Sequence, residues 1–416
     1  MAERSLRCRT RARAARGTPR PARGTPSDLP KVASVYLDSP GEAYSSAESR
    51  CQEAGERRAG SRARDHRCHR FQHQTKRQAE AGDADADAAR RPGATSPACR
   101  APPVIGRSVV WVQGVARPVV SVVVPTRNRN AHAVACARSI LENRDFLELL
   151  VVDQSDGAQT RDELKELGDP RLRYVQTDTR GVTASRNLGI ELSRGDVVAF
   201  TDDDCRVPPN WTESLSAVFE ADPDVAVVCG RVVVPEDLRS KGFTESFEPH
   251  VREWQGRYPP FGSDWGITAN LSLRKSVVER VGPFDPMLGA GAPLRSGGEP
   301  DLLFRVLRAG LKIVNAAEVT VDHLGVRAFG AESQKLMRGY GKGTGAALFK
   351  HIRLGDVDAA RVYAGFVAAN VQRVCENLIK GQRPTGLGYL VSFLQGSLDS
   401  WQYGVDKQSR AYTPRA

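Results

Sequence analysis

The 416-residue sequence predicts an α/β fold, a doubly wound sheet with helices on both faces, and three observations predict it. Short, β-branched apolar runs recur between residues 118 and 232, with starts about 24 to 30 residues apart. Segments with apolar residues at three-to-four spacing fill the gaps, enough chain for a crossover helix between parallel strands. Outside this region the pattern changes: residues 1–117 show neither period, and residues 331–416 show only the helical one.

Taken in order, PVVSVVVPT (118–126) is continuously apolar and stopped by proline, the mark of a strand buried on both faces. AHAVACARSILEN (131–143) follows as a helix. LELLVVD (147–153), LRYVQ (172–176), DVVAFTD (196–202) and DVAVVCGRV (224–232) are the next strands. TASRNLGIELSRG (183–195) is a further helix, with Thr183 as its N-cap and Gly195 as its stop. Strand and helix alternating in this way give the doubly wound sheet, over a domain of residues 118–330. Beyond it, VYAGFVAANVQRVCENLIKG (362–381) and GLGYLVSFLQGSLDSWQYG (386–404) are two helices with broad apolar faces, in a helical extension over 331–416. GYGKGTGAALFKH (339–351) has no strand before it and no Walker spacing, so it reads as a flexible hinge near the cleft.

The net charge of +11 would suggest a polyanionic partner, but residues 1–117 hold 23 Lys+Arg against 12 Asp+Glu and so carry the whole excess. Residues 118–416 have no global basic face, and no specific nucleic-acid partner is expected. The basic arm is rich in Arg, Ala, Gly and Pro, a composition that buries too little surface to offset chain entropy, and it is expected to be disordered. Its HRCHRFQH (66–73) clusters His66, Cys68, His69 and His73 without a second ligand pair. The eight cysteines are scattered, with no C-x-x-C pair, which suits reduced thiols in a cytoplasmic protein. No apolar run reaches the length of a transmembrane helix.

In a doubly wound sheet, ligands gather beyond the carboxyl ends of the strands. Residues 126–129, 153–156 and 202–204 fall there, so three polar clusters from separate stretches of chain meet on one rim. Convergence of that kind marks a site. Asp202, Asp203 and Asp204 follow a core strand directly, and adjacent carboxylates repel one another unless a cation lies between them.

These stretches resemble a known family. VVSVVVPTRNR, LLVVDQSD, RGVTASRNLGIELSRGDVVAFTDDDCRVPPNW and VGPFDPMLGAGAPLRSGGEPDLLFRVLRAG look like the successive motifs of family 2 glycosyltransferases, in order over roughly residues 119–325. The resemblance implies the GT-A fold, a Rossmann-like sheet. It implies an inverting transfer of sugar from a nucleoside-diphosphate sugar donor to a hydroxyl of a glycan, lipid-linked or small-molecule acceptor, with cell-envelope polysaccharide biosynthesis as a setting. The triple aspartate takes the place of the family's D-x-D motif, which implies Mg²⁺ or Mn²⁺ as cofactor. Such an ion neutralises the charge that grows on a departing diphosphate, and hard cations prefer oxygen ligands.

The same resemblance implies roles for particular residues. Asp202 and Asp204 would hold the metal, with Asp202 and Asp203 also meeting the donor. Thr126, Arg127, Asp153, Arg186 and Asn187 would line the donor pocket, Asp153 by accepting an imide N–H of the base. Arg186 and Asn187 open a helix, where a guanidinium and a helix N-terminus suit a diphosphate. His323, ending the strand-like VTVDHLG, stands where members place a metal or diphosphate ligand, and a structural histidine is the alternative. Gly266 and Asn270, in WGITANLSLRK (265–275), would face the acceptor. The family's general base comes from an E-D-x-D-L stretch, and SGGEPDLLFRVLRAG (296–310) departs from it. Anchored on DLLFR, Glu299 falls on the base and Asp301 on the last aspartate, with Gly298 replacing a glutamate and Pro300 stiffening the turn. Either acid is a catalytic candidate, and both also suit the first turn of a helix.

Two other classes remain open. A nucleotidyltransferase that makes nucleotide sugars would open with a Gly-rich G-x-G-T-R loop, and VVPTRNR has no glycine. A non-catalytic carbohydrate- or polyanion-binding protein would explain the altered E-P-D stretch and the basic arm. Lys380, Arg383, Trp401 and Tyr403 beside the last helices suit peripheral contact with a membrane surface, which for a cytoplasmic protein is its inner face.

Overall fold

The computed structural model describes residues 117–259, 265–384 and 386–414. The arm expected over residues 1–117 lies outside them except for Arg117, and so does the His66–His73 cluster.

The first strands form where the continuous apolar runs are. β1 (Val120–Thr126) is followed by α1 (Asn130–Leu141), β2 (Glu148–Asp153), α2 (Gln159–Lys165), β3 (Leu172–Gln176), α3 (Val182–Leu192) and β4 (Val197–Phe200). β1 pairs in parallel with both β2 and β4, and β2 with β3. Every residue of β1, β2 and β4 is buried, whereas β3 at the sheet edge is only half-buried. That difference follows from place in the sheet. A central strand has a neighbour on each side and a covered surface on each face, so only an uninterrupted apolar run fits.

The second half of the sheet is mixed. β5 (Cys205–Arg206), α4 (Trp211–Ala221), β6 (Val225–Val233), α5 (Glu236–Arg239) and β7 (Glu253–Trp254) lead to a 3₁₀ turn at Thr268–Asn270 and to β8 (Leu271–Arg274). α6 (Lys275–Val281), α7 (Gly298–Arg308) and β9 (Lys312–His323) follow. The strand order is β3-β2-β1-β4-β8-β6-β9-β5, with β7 alongside β9. The expected α/β sheet flanked by helices is therefore present, with one departure. β8 lies antiparallel between β4 and β6, so the sheet is not purely parallel. Its four residues, LSLR, are too short for a periodicity to register, and only the vacancy between two buried strands makes them a strand.

α3 starts one residue earlier than expected, after Gly181, whose φ of 98° needs a glycine. Thr183 is not its cap: the hydroxyl donates to the Leu288 carbonyl (3.4 Å).

The extension consists of α8 (Ala331–Arg353), α9 (Val357–Ile379), α10 (Leu387–Asp399), a 3₁₀ turn at Ser400–Gln402, and a ribbon of β10 (Gly404–Val405) and β11 (Tyr412–Thr413). The glycine-rich stretch is not a hinge. It lies inside α8, and its small residues are a contact surface: a Cβ at Gly343 would sit 1.9 Å from the Ser296 carbonyl oxygen, and one at Gly345 would sit 1.9 Å from that of Phe393. Glycine there lets the α8 backbone touch both the loop before α7 and α10. Tyr363, Phe366, Tyr389 and Phe393 close the packing between α9 and α10, with Phe366 and Phe393 ring centroids 4.6 Å apart.

A buried ionic network ties the extension to α7. The Lys350 ammonium reaches Asp285 and, at 2.8 Å, Asp301. Asp301 also accepts from His351 Nε2 (2.6 Å) and from Arg305 (2.9 Å). Arg410, just before β11, donates to His351 Nδ1 (3.1 Å), which leaves His351 neutral with its proton on Nε2. Burial would raise Asp301, but Lys350, Arg305 and His351 together hold it far below the carboxylate range. Burial pushes His351 down to about 4, against the pull of Asp301. Both shifts act in one direction. An unfolded chain binds a proton at His351 below 6.5, whereas the folded one resists until about 4, so stability falls as pH drops through that window. Asp301, depressed when folded, adds its own loss at lower pH. Calorimetry across the window should record this fall, and His351→Gln should flatten it between about 6.5 and about 4.

Candidate active site

The chain leaves β1 towards β2 and β3 on one side and returns to β4 on the other. At that switch point the loops after β1 and β4 diverge and leave a crevice beyond the carboxyl ends of the strands. A cleft of about 380 Å³ lies there, lined by residues from both loops, from the start of α3, and from the chain after β9.

The three aspartates stand in its wall, each under 10 % exposed and each with its own partners. Asp202 accepts from the fully buried Arg186 (2.8 Å). Asp203 accepts from the Thr126 hydroxyl (2.8 Å) and from Arg129 Nη1 (2.7 Å). Asp204 accepts from Arg129 Nη2 (2.8 Å) and faces His323 Nε2 at 3.2 Å. Burial, and after it the charge of Asp204, pushes the Asp203 carboxyl up, and Arg129 works against that rise.

His323 is brought here by the sheet. β5 pairs antiparallel with the end of β9, Cys205 opposite His323, so the residue before Cys205 lies beside the imidazole. Its Nδ1 is 2.9 Å from the Glu245 carbonyl oxygen, which can only accept. In the neutral ring Nδ1 therefore carries the proton, and Nε2 turns a lone pair towards a carboxylate oxygen. Two acceptors at that distance call for a proton or a cation between them. Among the described residues, Asp204, Cys205 and His323 offer ligand atoms all within 4.8 Å of one another. A carboxylate with a carbonyl-oriented imidazole is a donor set that fits a divalent cation. Of the three residues expected at the metal, Asp202 is turned to Arg186, while Asp204 and His323 face each other.

Of the other expected residues, Thr126, Arg127 and Arg186 line the cleft. Asp153 is fully buried behind that lining, its carboxylate taken by Ser155 N (2.8 Å), the Ser155 hydroxyl and the Tyr174 hydroxyl (2.9 Å). Gln154, the next residue, lines the cleft. Asn187 is not among the residues that line the cleft: its amide accepts from Phe284 N (3.2 Å) and donates to Phe284 O (3.4 Å). Gly266 and Asn270 are likewise not among the residues that line the cleft. A Cβ at Gly266 would meet Cys229 Sγ at 2.3 Å, so this backbone is pressed on β6. Asn270 accepts from the Trp211 indole (3.0 Å) and donates to the Arg231 and Val319 carbonyls (2.9 and 2.8 Å), which joins α4, β6 and β9.

The two candidate bases separate. Neither lines the cleft, and Asp301 is enclosed in the ionic network. Glu299 is also fully buried, and its Oε1 accepts from Thr268 N (3.1 Å) and the Thr268 hydroxyl (2.5 Å). It lies 4.0 Å from Arg186 Nη1, on the same guanidinium that reaches Asp202. Arg129 of the 126–129 rim also lines the cleft, together with residues that the sequence did not single out: Glu245, Arg327 and, from α8, Leu336 and Tyr340. Arg129 stood within the quoted VVPTRNR stretch, and its place just before α1 turns it back over the aspartates. The α8 residues lie more than 130 positions from Asp203 in the chain, and no local pattern signals that contact.

Residues 121–282 match the model of glycosyl transferase family 2. A glucosyl-dolichyl phosphate glucuronosyltransferase of Haloferax volcanii is 29% identical over 195 residues, 42% of this chain and 59% of that protein. Glycosyltransferase AglE of the same organism is 29% identical over 242 residues, 54% of this chain and 73% of its own length. A pre-mycofactocin glycosyltransferase of Mycobacterium tuberculosis is 29% identical over 213 residues, 49% of this chain and 43% of its own. The chain thus spans between about two-fifths and three-quarters of these relatives. Among solved structures, a mannosyltransferase from Pyrobaculum calidifontis in complex with GDP-Man and Mn²⁺ aligns with 18% identity and a TM-score of 0.46, over 68% of this chain and 88% of that one. Over residues 121–282 the chain is thus similar to glycosyl transferase family 2.

Proposed function

We propose that the protein is an inverting, metal-dependent glycosyltransferase that moves a sugar from a nucleoside-diphosphate sugar to a hydroxyl of a glycan or lipid-linked acceptor. The observation that carries this reading is the pairing of Asp204 Oδ1 with His323 Nε2, 3.2 Å apart in the wall of a cleft at the switch point. Asp204 and His323 would hold Mg²⁺ or Mn²⁺, and the bound ion would supply neutralisation of the diphosphate leaving group.

The chain's own residues divide the remaining work. Arg129 neutralises Asp203 and Asp204, and it is placed to turn to the diphosphate when donor and metal enter, since a guanidinium suits phosphate oxygens. Arg186, at the start of α3, fixes Asp202 and adds positive charge to the same wall. In the transfer, the acceptor oxygen attacks the anomeric carbon from the face opposite the diphosphate. One C–O bond forms as the other breaks, and the acceptor proton passes to a base. We assign that base to Glu299, the acid of α7 that is not consumed by the Lys350 network and that adjoins Arg186.

A panel of nucleotide sugars tests the reading, first by thermal shift with and without Mn²⁺ and then by release of nucleoside diphosphate. At least one donor is expected to raise the unfolding temperature more with Mn²⁺ than without, and to be turned over with the matching acceptor. Stabilisation by simple sugars or polyanions without any metal-dependent nucleotide effect would instead make this a binding protein.

A further inference from the structure

The helical extension turns an apolar face outward. α10 buries Tyr389, Leu390 and Phe393, while its opposite side carries Leu387, Val391, Leu394, Leu398 and, just past its end, Trp401, each 40–68% exposed. These positions recur at three-to-four spacing and so form one stripe along the helix. A helix that meets water would be charged or polar at them. At the end of α9, Leu378 and Ile379 are exposed as well, 58% and 86%. Single exposed leucines are ordinary, but a contiguous row is the mark of an interaction surface.

Charge says what covers it. From Asn377 to Leu398 the chain contains no Asp or Glu, and its only charged side chains are Lys380 and Arg383. A second copy seated by two-fold symmetry would set Lys380 and Arg383 towards their own counterparts, with Glu376 and Asp399 the acids at the two ends of the stretch. No helix among the described residues is long and apolar enough to cross a membrane. An apolar stripe with Trp and flanking cations, too short and too one-sided to span, suits a helix that lies in the plane of a lipid interface.

We propose that α10 and the turn before it seat this protein on a lipid surface with anionic headgroups. The placement relative to the cleft is favourable. A Cβ at Gly341 of α8 would meet the Tyr389 carbonyl oxygen at 2.7 Å, so the start of α10 lies beside the part of α8 where Leu336 and Tyr340 line the cleft. An acceptor held in the interface is thus brought near the site. The lipid contact itself does not depend on the transferase reading, because it is measured without any donor.

Sedimentation of the full chain with vesicles tests it, using phosphatidylcholine alone and phosphatidylcholine mixed with phosphatidylglycerol. Each interfacial cation contributes about fivefold in affinity, so the mixed vesicles should bind on the order of tenfold or more tightly. Leu398→Asp with Ile379→Asp should lose vesicle binding more than roughly tenfold, since each puts a charge where acyl chains would lie. Both positions are exposed, so the unfolding temperature should not move. Lys380→Gln with Arg383→Gln should remove the preference for anionic vesicles. Absence of binding to either vesicle, or binding that none of these variants weakens, would overturn the proposal. A concentration-dependent dimer that Leu398→Asp dissolves would overturn it as well, by naming a second copy as the occupant.

Discussion

Replacing Asp204 by alanine is expected to lower turnover by on the order of 10²–10³-fold or more, the cost of removing a preorganised group at developing charge. Asp204 Oδ1 faces His323 Nε2, and Oδ2 is held by Arg129. The substitution therefore removes one of the two proposed metal ligands and half of the Arg129 clamp. The fold should survive it, because Arg129 keeps Asp203 and His323 keeps the Glu245 carbonyl. Mn²⁺-dependent nucleotide binding should be lost together with turnover, and Asp204→Asn, which preserves shape, should behave in the same way. Calorimetric titration of nucleotide with and without Mn²⁺ separates binding from chemistry. Undiminished activity in EDTA, or in the alanine variant, would sink the assignment.

Glu299→Gln should cut turnover by on the order of 10²–10⁴-fold, the usual share of a positioned proton acceptor. Glutamine can still accept from Thr268 N and the Thr268 hydroxyl through its carbonyl, so α7 should stay in place. Donor affinity, set across the cleft by Arg129, Asp204 and His323, should remain near wild type. Asp301→Asn separates the two acids of this motif by a different readout. It leaves Arg305 without its buried counter-charge and Lys350 with Asp285 alone, and breaking one member of such a network costs on the order of 3–5 kcal/mol. Its first effect should thus be on the unfolding transition. If Asp301→Asn instead abolished turnover with stability and donor binding intact, the base would lie two residues further along α7.

Much of this site was legible locally. The runs at 118–126, 147–153 and 196–202 name their strands because a strand covered on both faces must be apolar throughout. Polar residues that follow such strands must then lie at their carboxyl ends, which places Thr126, Arg127 and Asp202–Asp204 on one rim. The short β8 was not legible, since four alternating residues carry no period of their own. The glycines of 339–345 were misread as a hinge because a flexible sequence and a close helix contact call for the same residue.

The sequence by itself determined the α/β class, the strands that bear the site, and the identity of the aspartates, since burial and strand period are local constraints. Only the tertiary structure decided which partners those residues have. His323 meets Asp204 through the pairing of β5 with β9, Asn187 and Asn270 are used up by distant backbone, and Asp301 is enclosed by a helix some 50 residues later. Each of these is a contact between segments far apart in the chain. A side chain's role follows from the atoms that reach it, and residue type and local spacing do not encode that.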